Sequence, residues 1–592
     1  MKRVILTGAV ALALTACQTA GETFDAVNPF SDSVSIETRL IDQYLAEQGL
    51  DDADFPVPEA ARRTPDLLPP GTGTEVAYAD HYGVLEIPAA ERELNAILQR
   101  LQATIPGTPP PARVYIEPGV GFSARAEKSG AIFVSFGGLS GTSPQGESDE
   151  ADLNDDRLAF LIAHEYAHIL LDHFGDRETE ESMLEFAKLA RMGLVARNKL
   201  DEDRDDDDLA RNMRAPNVAL AVSEATMLRS WGRSQEFEAD LLAHDLLAAA
   251  GYNRRESSNA ITRIRDVKDV VQQVPFFNSE EFQSIAAQAL QGGMDKQNLV
   301  ERGVDAGFVL FGQLSRELFG KEHPSQQDRL DQLKLYEERQ YREVERAYVA
   351  RFTRSRSDSV DRLAADSDFQ GWKAAYDTTF QAVALTERSK VAGVQGSDGS
   401  MAEADAPPIL DPAFEPTFKR ARAALQRLGQ EDPFLRERFA ELREHERKHD
   451  TAIANLDLVL EAKGERTPLK TLLELVNRNL DKGDVARAGE AIQLAVLNYP
   501  DAQAWYPNKI AVELLSGQRD QAQRTFDSCQ INGTVTTTVA CREVARGKGP
   551  GFNGKGQDAP PGLLKQGGSV PGRGETNQGG GFDNLINAFT GT

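Results

Sequence analysis

The 592-residue sequence predicts an α+β protein that is mostly helical, with a small sheet in its first half and helical repeats in its second half. Two short runs rich in β-branched and aromatic residues, at 113–117 and 131–136, predict the strands. An apolar helical run at 158–174 carries the pattern H-E-x-x-H. Two glycines 34 positions apart, Gly483 and Gly517, indicate repeated helical pairs.

The chain begins with a predicted export signal at residues 1–16. Two basic residues precede an apolar run that is too short to remain as a membrane-spanning helix. The stretch Leu14-Thr15-Ala16-Cys17 resembles the bacterial lipobox, which implies cleavage before Cys17 and a lipid anchor on that cysteine. Gln18 at the next position favours the outer membrane by the usual sorting pattern. An ordinary cleaved signal followed by a chance cysteine is the alternative.

The composition indicates several globular domains, with 40% hydrophobic and 27% charged residues. A net charge of −26 argues against binding nucleic acid, and against binding an anionic lipid surface through the protein itself. No later run approaches about 20 apolar residues, so we expect the remainder to be soluble.

The H-E-x-x-H pattern consists of His164, Glu165 and His168. Four residues are about one helical turn, so both imidazoles point to one side and can share a metal ion. Zinc suits two neutral imidazoles and needs a third protein ligand and an open position for catalysis. Glu165 is then the candidate general base for the attacking water. Acidic residues at 146–156, before the helix, suit the positive end of its dipole.

A second predicted helix, at 234–252, offers the missing ligand. Glu236 and Asp240 are one turn apart, so one carboxylate can complete a zinc site while the other accepts the free N–H of a ligand histidine. Glu238 is an alternative ligand, although its side chain is expected to point away from the face that Glu236 and Asp240 share. An acidic surface helix without a metal is the other interpretation.

These motifs resemble the gluzincin metallopeptidases of peptidase family M48, which include the CAAX prenyl protease, HtpX and a periplasmic BepA-like branch. The resemblance rests on H-E-x-x-H at 164–168, E-x-x-A-D at 236–240 and H-P-x-x-x-x-R-L at 323–330. It implies a zincin-type domain that binds one zinc ion through His164, His168 and Glu236. It also implies Glu165 as the base and Asp240 as the residue that orients a ligand histidine. The segment 131–139 is similar to the strand and turn before the family's active helix.

Three further histidines need separate interpretations. By resemblance His323 lies over the metal, either as a removable fourth ligand or as a donor to the developing oxyanion, and capping of the next helix is the alternative. His173 follows His168 by five residues, well off the ligand face of a helix. His244 lies two turns beyond Glu236, too far along the helix to share the ion.

The pattern H-E-x-x-H occurs again at His445, Glu446 and His449, where Arg447 and Lys448 fill the variable positions. Positive charge beside a cation is unfavourable, so this copy is interpreted as a solvated helix face. It lies upstream of the stretch in which Leu475, Ala495 and Pro500 resemble the tetratricopeptide consensus. Stacked helical pairs of that kind present a concave face to peptides or partner proteins.

The resulting domain organisation has six parts. They are a lipoprotein signal peptide at 1–16, a lipid-anchored tether at 17–75, a zinc metallopeptidase domain at 76–345, a helical extension and linker at 346–410, tetratricopeptide-like repeats at 411–545, and a disordered Gly/Pro-rich tail at 546–592. The exported chain permits a disulfide between Cys529 and Cys541 at the end of the repeats.

The sequence thus predicts a zinc endopeptidase that is tethered in the periplasm to the outer membrane. By family resemblance its clients are unfolded or misassembled envelope proteins, and the repeats could contact the outer-membrane assembly machinery. An extended client peptide could add to an edge strand of the small sheet. The competing hypothesis is a non-proteolytic chaperone or assembly scaffold that acts through its repeats, with a structural or blocked metal.

Overall fold

The computed structural model describes residues 38–50, 57–58, 61–119, 121–141, 153–176, 233–263, 326–341, 358–394, 414–427, 432–445, 449–552 and 563. Within these ranges most residues are helical, and the strands form a small three-stranded sheet. The predicted mostly helical α+β class is therefore confirmed. None of the described helices combines the length and the apolar character that crossing a membrane requires.

The sheet consists of β1 (Arg113–Glu117), β2 (Ala124–Ala126) and β3 (Ala131–Ser135). The central strand β3 runs parallel to β1 and antiparallel to β2. The first and third strands were predicted, whereas the three-residue β2 was not. Alternate residues of β1 and β3 face two different clusters, since successive side chains of a strand point to opposite faces. Val114 and Ile132 join the main core, while Tyr115 and Phe133 pack on the other face with Ala77.

Eight helices of the described N-terminal part surround this sheet. They are α1 (Leu40–Glu47), α2 (Glu75–Asp80), α3 (Pro88–Gln102), α4 (Phe136–Ser140), α5 (Asp155–Leu170), α6 (Arg233–Ala250), α7 (Glu256–Arg263) and α8 (Gln326–Tyr336). A short 3₁₀ turn (His173–Asp176) follows α5, and a π-helical turn (Glu337–Tyr341) follows α8. The helices α5 and α6 pack against each other, with α3 and β2 also against α5.

The N-terminus of α5 is fixed by side chains that were predicted only to suit the helix dipole. Asn154 caps the helix by accepting a hydrogen bond from the backbone N–H of Arg157. Asp155 accepts hydrogen bonds from the backbone of Ser359, at 2.9 and 3.1 Å. Asp156 accepts one from the backbone of Asn253, at 2.7 Å. Buried carboxylates thus join α5 to the loop after α6 and to a later helix.

The segment α1 lies inside the domain, although residues 17–75 were predicted to be mostly a tether. Leu40, Ile41, Tyr44 and Leu45 are all buried in the main core. The backbone N–H of Ile41 donates to Asp245 of α6 at 3.1 Å, and that of Leu40 donates to the hydroxyl of Tyr336 in α8 at 2.8 Å. The domain therefore begins before residue 76, because an amphipathic helix within the predicted tether packs its apolar side chains into the main core.

The region predicted as a helical extension and linker also belongs to this core. It contains α9 (Asp358–Ala365) and α10 (Ser367–Val394), followed by α11 (Phe414–Arg427) and α12 (Pro433–His445). The ring of Tyr376 in α10 packs 4.5 Å from that of Phe136. Along α12 the main core extends to Phe439, and a second core begins at Ala440. The boundary between the two cores thus falls inside a helix, about 30 residues beyond the predicted start of the repeats.

The second core is built from consecutive helices that pack in pairs. They are α13 (His449–Lys463), α14 (Leu469–Lys482), α15 (Val485–Asn498), α16 (Tyr506–Leu515), α17 (Arg519–Asn532) and α18 (Val535–Ala545). Gly483 follows α14 and Gly517 follows α16, both with the positive φ that lets glycine end a helix (87° and 75°). The helical pairs and their spacing match the prediction, and their assignment as tetratricopeptide repeats stays a prediction.

Two features close the C-terminal end of this core. Cys529 in α17 and Cys541 in α18 form a disulfide, with their Cα atoms 6.7 Å apart. The tail predicted to be disordered from residue 546 is ordered at least to Phe552, which is 5% exposed. The backbone N–H of Gly551 donates to Asp481 at 2.9 Å, so this short stretch caps the repeats despite its glycine-rich composition.

Candidate metal centre

The packing of α5 against α6 brings three predicted ligands together. His164 and His168 lie one turn apart on α5, and Glu236 lies in the first turn of α6. The Nε2 atoms of the two histidines are 3.3 Å apart, and Glu236 Oε2 is 3.5 Å from His164 Nε2. All three side chains are buried. Among the residues that the structure describes, this is the one group of three metal-binding side chains whose ligand atoms lie within 4.8 Å of one another.

The spacing of these atoms fits a zinc ion. Zinc binds histidine nitrogen and carboxylate oxygen at roughly 2.0–2.2 Å in tetrahedral sites, which puts neighbouring ligand atoms about 3.4 Å apart. The two measured separations are within about 0.1 Å of that value. Three protein ligands leave one tetrahedral position, which is the arrangement of catalytic rather than structural zinc sites. The donor set therefore suits a zinc ion whose fourth coordination position these three residues leave unfilled.

Asp240 lies beside His164, one of the two predicted ligand histidines. Its Oδ1 is 3.0 Å from Nδ1 of His164, the ring nitrogen that faces away from the other two ligands. A carboxylate at this position fixes the histidine tautomer and leaves Nε2 as the free electron pair for a metal. The structure thus gives Asp240 an orienting contact with the first of the two histidines.

Arg329 holds that carboxylate in turn. Its Nε and Nη2 donate to the two oxygens of Asp240 at 2.7 and 2.6 Å, and its Nη1 lies 3.5 Å from Glu236 Oε2. Arg329 is the arginine of the H-P-x-x-x-x-R-L motif, and no role was predicted for it. Because α8 is 89 residues from Asp240 in the chain, only the fold reveals this bidentate pair.

His173 contacts the second ligand histidine, contrary to the expectation that it lies well off the ligand face. The Nδ1 atoms of His168 and His173 are 2.7 Å apart, and His173 Nε2 is 3.3 Å from Glu238 Oε2. The expectation assumed a continuing helix, but α5 ends at Leu170 and Asp172 has a positive φ of 45°, which turns the chain back. Glu238 points away from the ligand group, as predicted, and contacts His173 instead.

Glu165 is a buried carboxylate beside the ligand group. Its side chain is 5% exposed, and its Oε2 has no hydrogen-bond partner among the described residues. Burial raises the pKa of Glu165 to about 7, with the Glu236 carboxylate adding to the effect and His164 opposing it. A carboxylate with a free oxygen and a pKa near neutrality is suited to accept and return a proton.

The surroundings of His164 favour its protonated form when no metal is bound. Burial alone would lower the pKa of His164, but hydrogen bonds and charge from Asp240 and Glu236 raise it to about 10. Burial raises the pKa of Asp240, but Arg329 and His164 together lower it below its usual value. A metal ion that binds at neutral pH must therefore displace a proton from His164.

The remaining candidates fall outside this group or outside the described residues. His323 and Cys17 lie outside the described residues, so their predicted roles are untested. His244 is fully buried away from the ligands, with Nδ1 3.2 Å from Ser257 Oγ, and burial lowers its pKa to about 3. In the second H-E-x-x-H, His445 is the last residue of α12 and His449 is the exposed first residue of α13. The two histidines thus belong to two different described helices.

Comparison with known proteins agrees with this geometry. The sequence profile of Peptidase family M48 matches residues 88–337, so this part of the chain is an M48 family domain. The match begins at α3 and ends just after α8, and it includes every residue of the ligand group together with Arg329. Comparison with curated proteins gave no match.

Proposed function

We propose that the M48 domain of this chain is a zinc-dependent endopeptidase. The observation that carries the proposal is the convergence of His164, His168 and Glu236 at spacings that suit one tetrahedral ion, next to Glu165, whose Oε2 has no hydrogen-bond partner among the described residues. The family match supports a metallopeptidase. A third carboxylate, Asp240, and the guanidinium of Arg329 hold the ligands in position.

In the proposed mechanism the residues of the chain orient the ligands and move protons. A bound zinc ion would polarise the scissile carbonyl and make a water molecule acidic enough to lose a proton at neutral pH. Glu165 takes that proton and passes it to the leaving amine, which a pKa near 7 allows in both directions. Asp240 and His173 fix the two histidine rings through their Nδ1 atoms.

The edge strand β2 is the proposed docking site for the scissile segment of a client. It pairs with β3 on one side only in the described sheet, and it packs against the helix that carries the histidines. An extended peptide could add to its free edge through main-chain hydrogen bonds, largely independently of the client's sequence. This fits an enzyme that acts on unfolded chains.

Replacement of Glu165 by Gln tests the catalytic proposal. The variant keeps the size of the side chain and removes the base, so we expect cleavage of casein or an unfolded porin to fall by about 10²–10⁴-fold. Its zinc content should match the wild type, because Glu165 is not a ligand. Glu47→Gln, at an exposed position of α1, is the matched control and should cleave normally. A Glu165→Gln enzyme with wild-type activity would exclude this mechanism.

The cellular role is proposed from the sequence. The lipobox-like stretch ending at Cys17 supports attachment to the outer membrane in the periplasm, and the paired helices of the second core support a tetratricopeptide-like module that holds misfolded envelope proteins or assembly factors. Cys17→Ser should move the protein from the membrane fraction to the soluble periplasmic fraction. Retention of that variant in the outer membrane would argue against the anchor.

The role of His323 separates two forms of the proposed enzyme. If His323 is a removable fourth ligand, His323→Ala should raise basal cleavage, whereas an oxyanion donor predicts a loss. If wild type and His323→Ala both bind zinc but neither cleaves a client, the result would instead support the non-proteolytic scaffold. Digestion of casein by wild type and by His323→Ala, with and without a chelator, distinguishes all three.

A further inference from the structure

A groove of about 990 Å³ lies between the segment 70–115 and the helical pairs of the second core, on the opposite face of the sheet from the predicted metal ligands. One wall is formed by α2 and by Tyr115 of β1, which belongs to the small cluster on that face. The other wall is formed by the turn between α13 and α14 and by the end of α15, including Arg466 and Tyr499. The residues that bind the proposed metal do not line the groove.

The groove is strongly acidic. Six carboxylates line it, against the single guanidinium of Arg466. None of the six forms an ion pair within 4 Å with another residue that the structure describes. They are Glu75, Asp80, Glu86, Glu91, Glu465 and Asp501.

Two of these carboxylates are partly withdrawn from water. Burial raises the pKa of Asp80 above its usual value, although Arg125 and Lys470 oppose the effect. Burial also raises the pKa of Glu91, with repulsion from Glu86 adding to it and Arg113 opposing it. Desolvated carboxylates without a close cation are unfavourable, and a cation brought into the groove would relieve that cost.

The walls between the carboxylates are largely apolar and aromatic. Tyr78, Tyr115 and Tyr499 line the groove together with Val84 and Ala502. The hydroxyl of Tyr499 donates to the carbonyl of Thr467 at 2.7 Å, and that of Tyr115 to Thr72 at 3.1 Å. Because these hydroxyls are already bonded to the backbone, the rings are the parts that remain to contact a ligand. Aromatic rings attract cations at their faces and cover the alkyl stems of Lys and Arg.

We propose that this groove is a docking site for an extended, basic stretch of a polypeptide client, with Lys or Arg side chains between apolar ones. The volume lies at the upper end of small-molecule pockets, which is consistent with several residues of a peptide. Charge complementarity supplies the preference for basic segments, and the tyrosines and aliphatic side chains supply the apolar contacts. This proposal rests on the proposed function in one respect, namely that the clients are unfolded chains. The groove would bind them away from the residues that would cleave them.

The test measures binding without requiring cleavage. Fluorescence anisotropy would follow a short fluorescein-labelled peptide of Lys and Leu residues between Gly-Ser spacers, added to the full-length Glu165→Gln protein. A counterpart with Glu in place of Lys, and one with Ser in place of Leu, would separate the two kinds of contact. We expect the Lys-Leu peptide to bind tightest and its affinity to fall with added salt.

A triple variant, Glu75→Gln, Glu86→Gln and Asp501→Asn, should weaken that binding about tenfold. The matched control is Glu47→Gln, Glu338→Gln and Glu461→Gln, which removes the same total charge from exposed positions outside the groove. Equal affinities of the two triple variants would overturn the proposal, because binding would then reflect net charge alone. Equal binding of the Lys-Leu and Lys-Ser peptides, with full displacement by spermine, would also overturn it in favour of a polyamine site.

Failure of this proposal is distinguishable from failure of the proposed function. If wild-type protein cleaves casein but the groove variants bind the peptide normally, the endopeptidase stands and the docking site falls. If the peptide binds in the groove but no client is cleaved, the docking site stands and the endopeptidase falls.

Discussion

Arg329 is expected to stabilise both the fold and the metal centre, because its guanidinium neutralises two buried carboxylates. It donates to both oxygens of Asp240 at 2.6 and 2.7 Å, and it lies 3.5 Å from Glu236. The side chains of Arg329 and Asp240 are only 10% and 2% exposed. Replacement by Gln would leave Asp240 with His164 as its remaining charged partner.

The size of the effect follows from this burial. Removal of one partner of a buried ion pair costs about 3–5 kcal/mol, since the other charge stays buried without compensation. For a domain of this size each kcal/mol of lost unfolding free energy lowers the melting temperature by roughly 2–4 °C. The melting temperature of zinc-free Arg329→Gln should therefore lie about 6–20 °C below that of the zinc-free wild type. Zinc should increase the difference, because a poorly oriented His164 would weaken zinc binding about 10–100-fold, or about 1–3 kcal/mol.

Thermal unfolding with chelator and with saturating zinc would measure both parts of this prediction. Lys334→Gln is the matched control, since Lys334 is an exposed residue of the same helix, and its stability should stay within about 0.5 kcal/mol of wild type. The reasoning would be refuted if Arg329→Gln unfolded within about 1 kcal/mol of the control and bound zinc equally well.

Three further predictions concern the metal centre. Glu236→Ala should lose most of its zinc at stoichiometric metal while its circular dichroism stays native, and full zinc retention would exclude Glu236 as a ligand. Zinc binding to the zinc-free protein at pH 8 should release about one proton, because the pKa of His164 is raised to about 10 before metal binds. Calorimetry in buffers of different ionisation enthalpy measures the number of protons released. Zero release would contradict the assignment of His164 as a zinc ligand. His173→Ala should weaken zinc binding about 10–100-fold, because His173 contacts His168 directly. Glu238→Gln should weaken zinc binding less, since Glu238 contacts only His173 of these residues and its side chain is 37% exposed. Equal losses of affinity in a zinc titration would contradict this difference between the two contacts.

Local sequence patterns were sufficient to predict that His164, His168 and Glu236 lie close together. The spacing of His164 and His168 sets their common side through helix geometry, and the spacing of Glu236 and Asp240 does the same on α6. Strands β1 and β3 were predictable because their β-branched and aromatic residues form uninterrupted runs, at 114–116 and 132–134. In these cases the prediction depended only on the spacing of residues within a single helix or strand.

Contacts that depend on chain reversal or on distant segments were not predictable in this way. His173 was misplaced because one residue with positive φ, Asp172, breaks the helical spacing on which the expectation relied. The partner of Asp240 is 89 residues away, and the partners of α1 are about 200 and 300 residues away. Strand β2 is too short to show a period, and its pairing with β3 depends on the intervening turn.

The helix α12 contributes to two hydrophobic cores at once, with Leu435 and Phe439 in the first and Ala440 in the second. Because α12 is packed into both cores, it does not act as a flexible hinge between them. A force or a ligand that displaces the repeats must therefore tilt this helix and strain the packing around Tyr82, whose hydroxyl donates to Glu437 at 2.7 Å. Shortening the protein to its M48 match would likewise remove α9 and α10 and expose the apolar surface that they cover, including Phe136, so residues 88–337 are expected to be insoluble when they are produced alone.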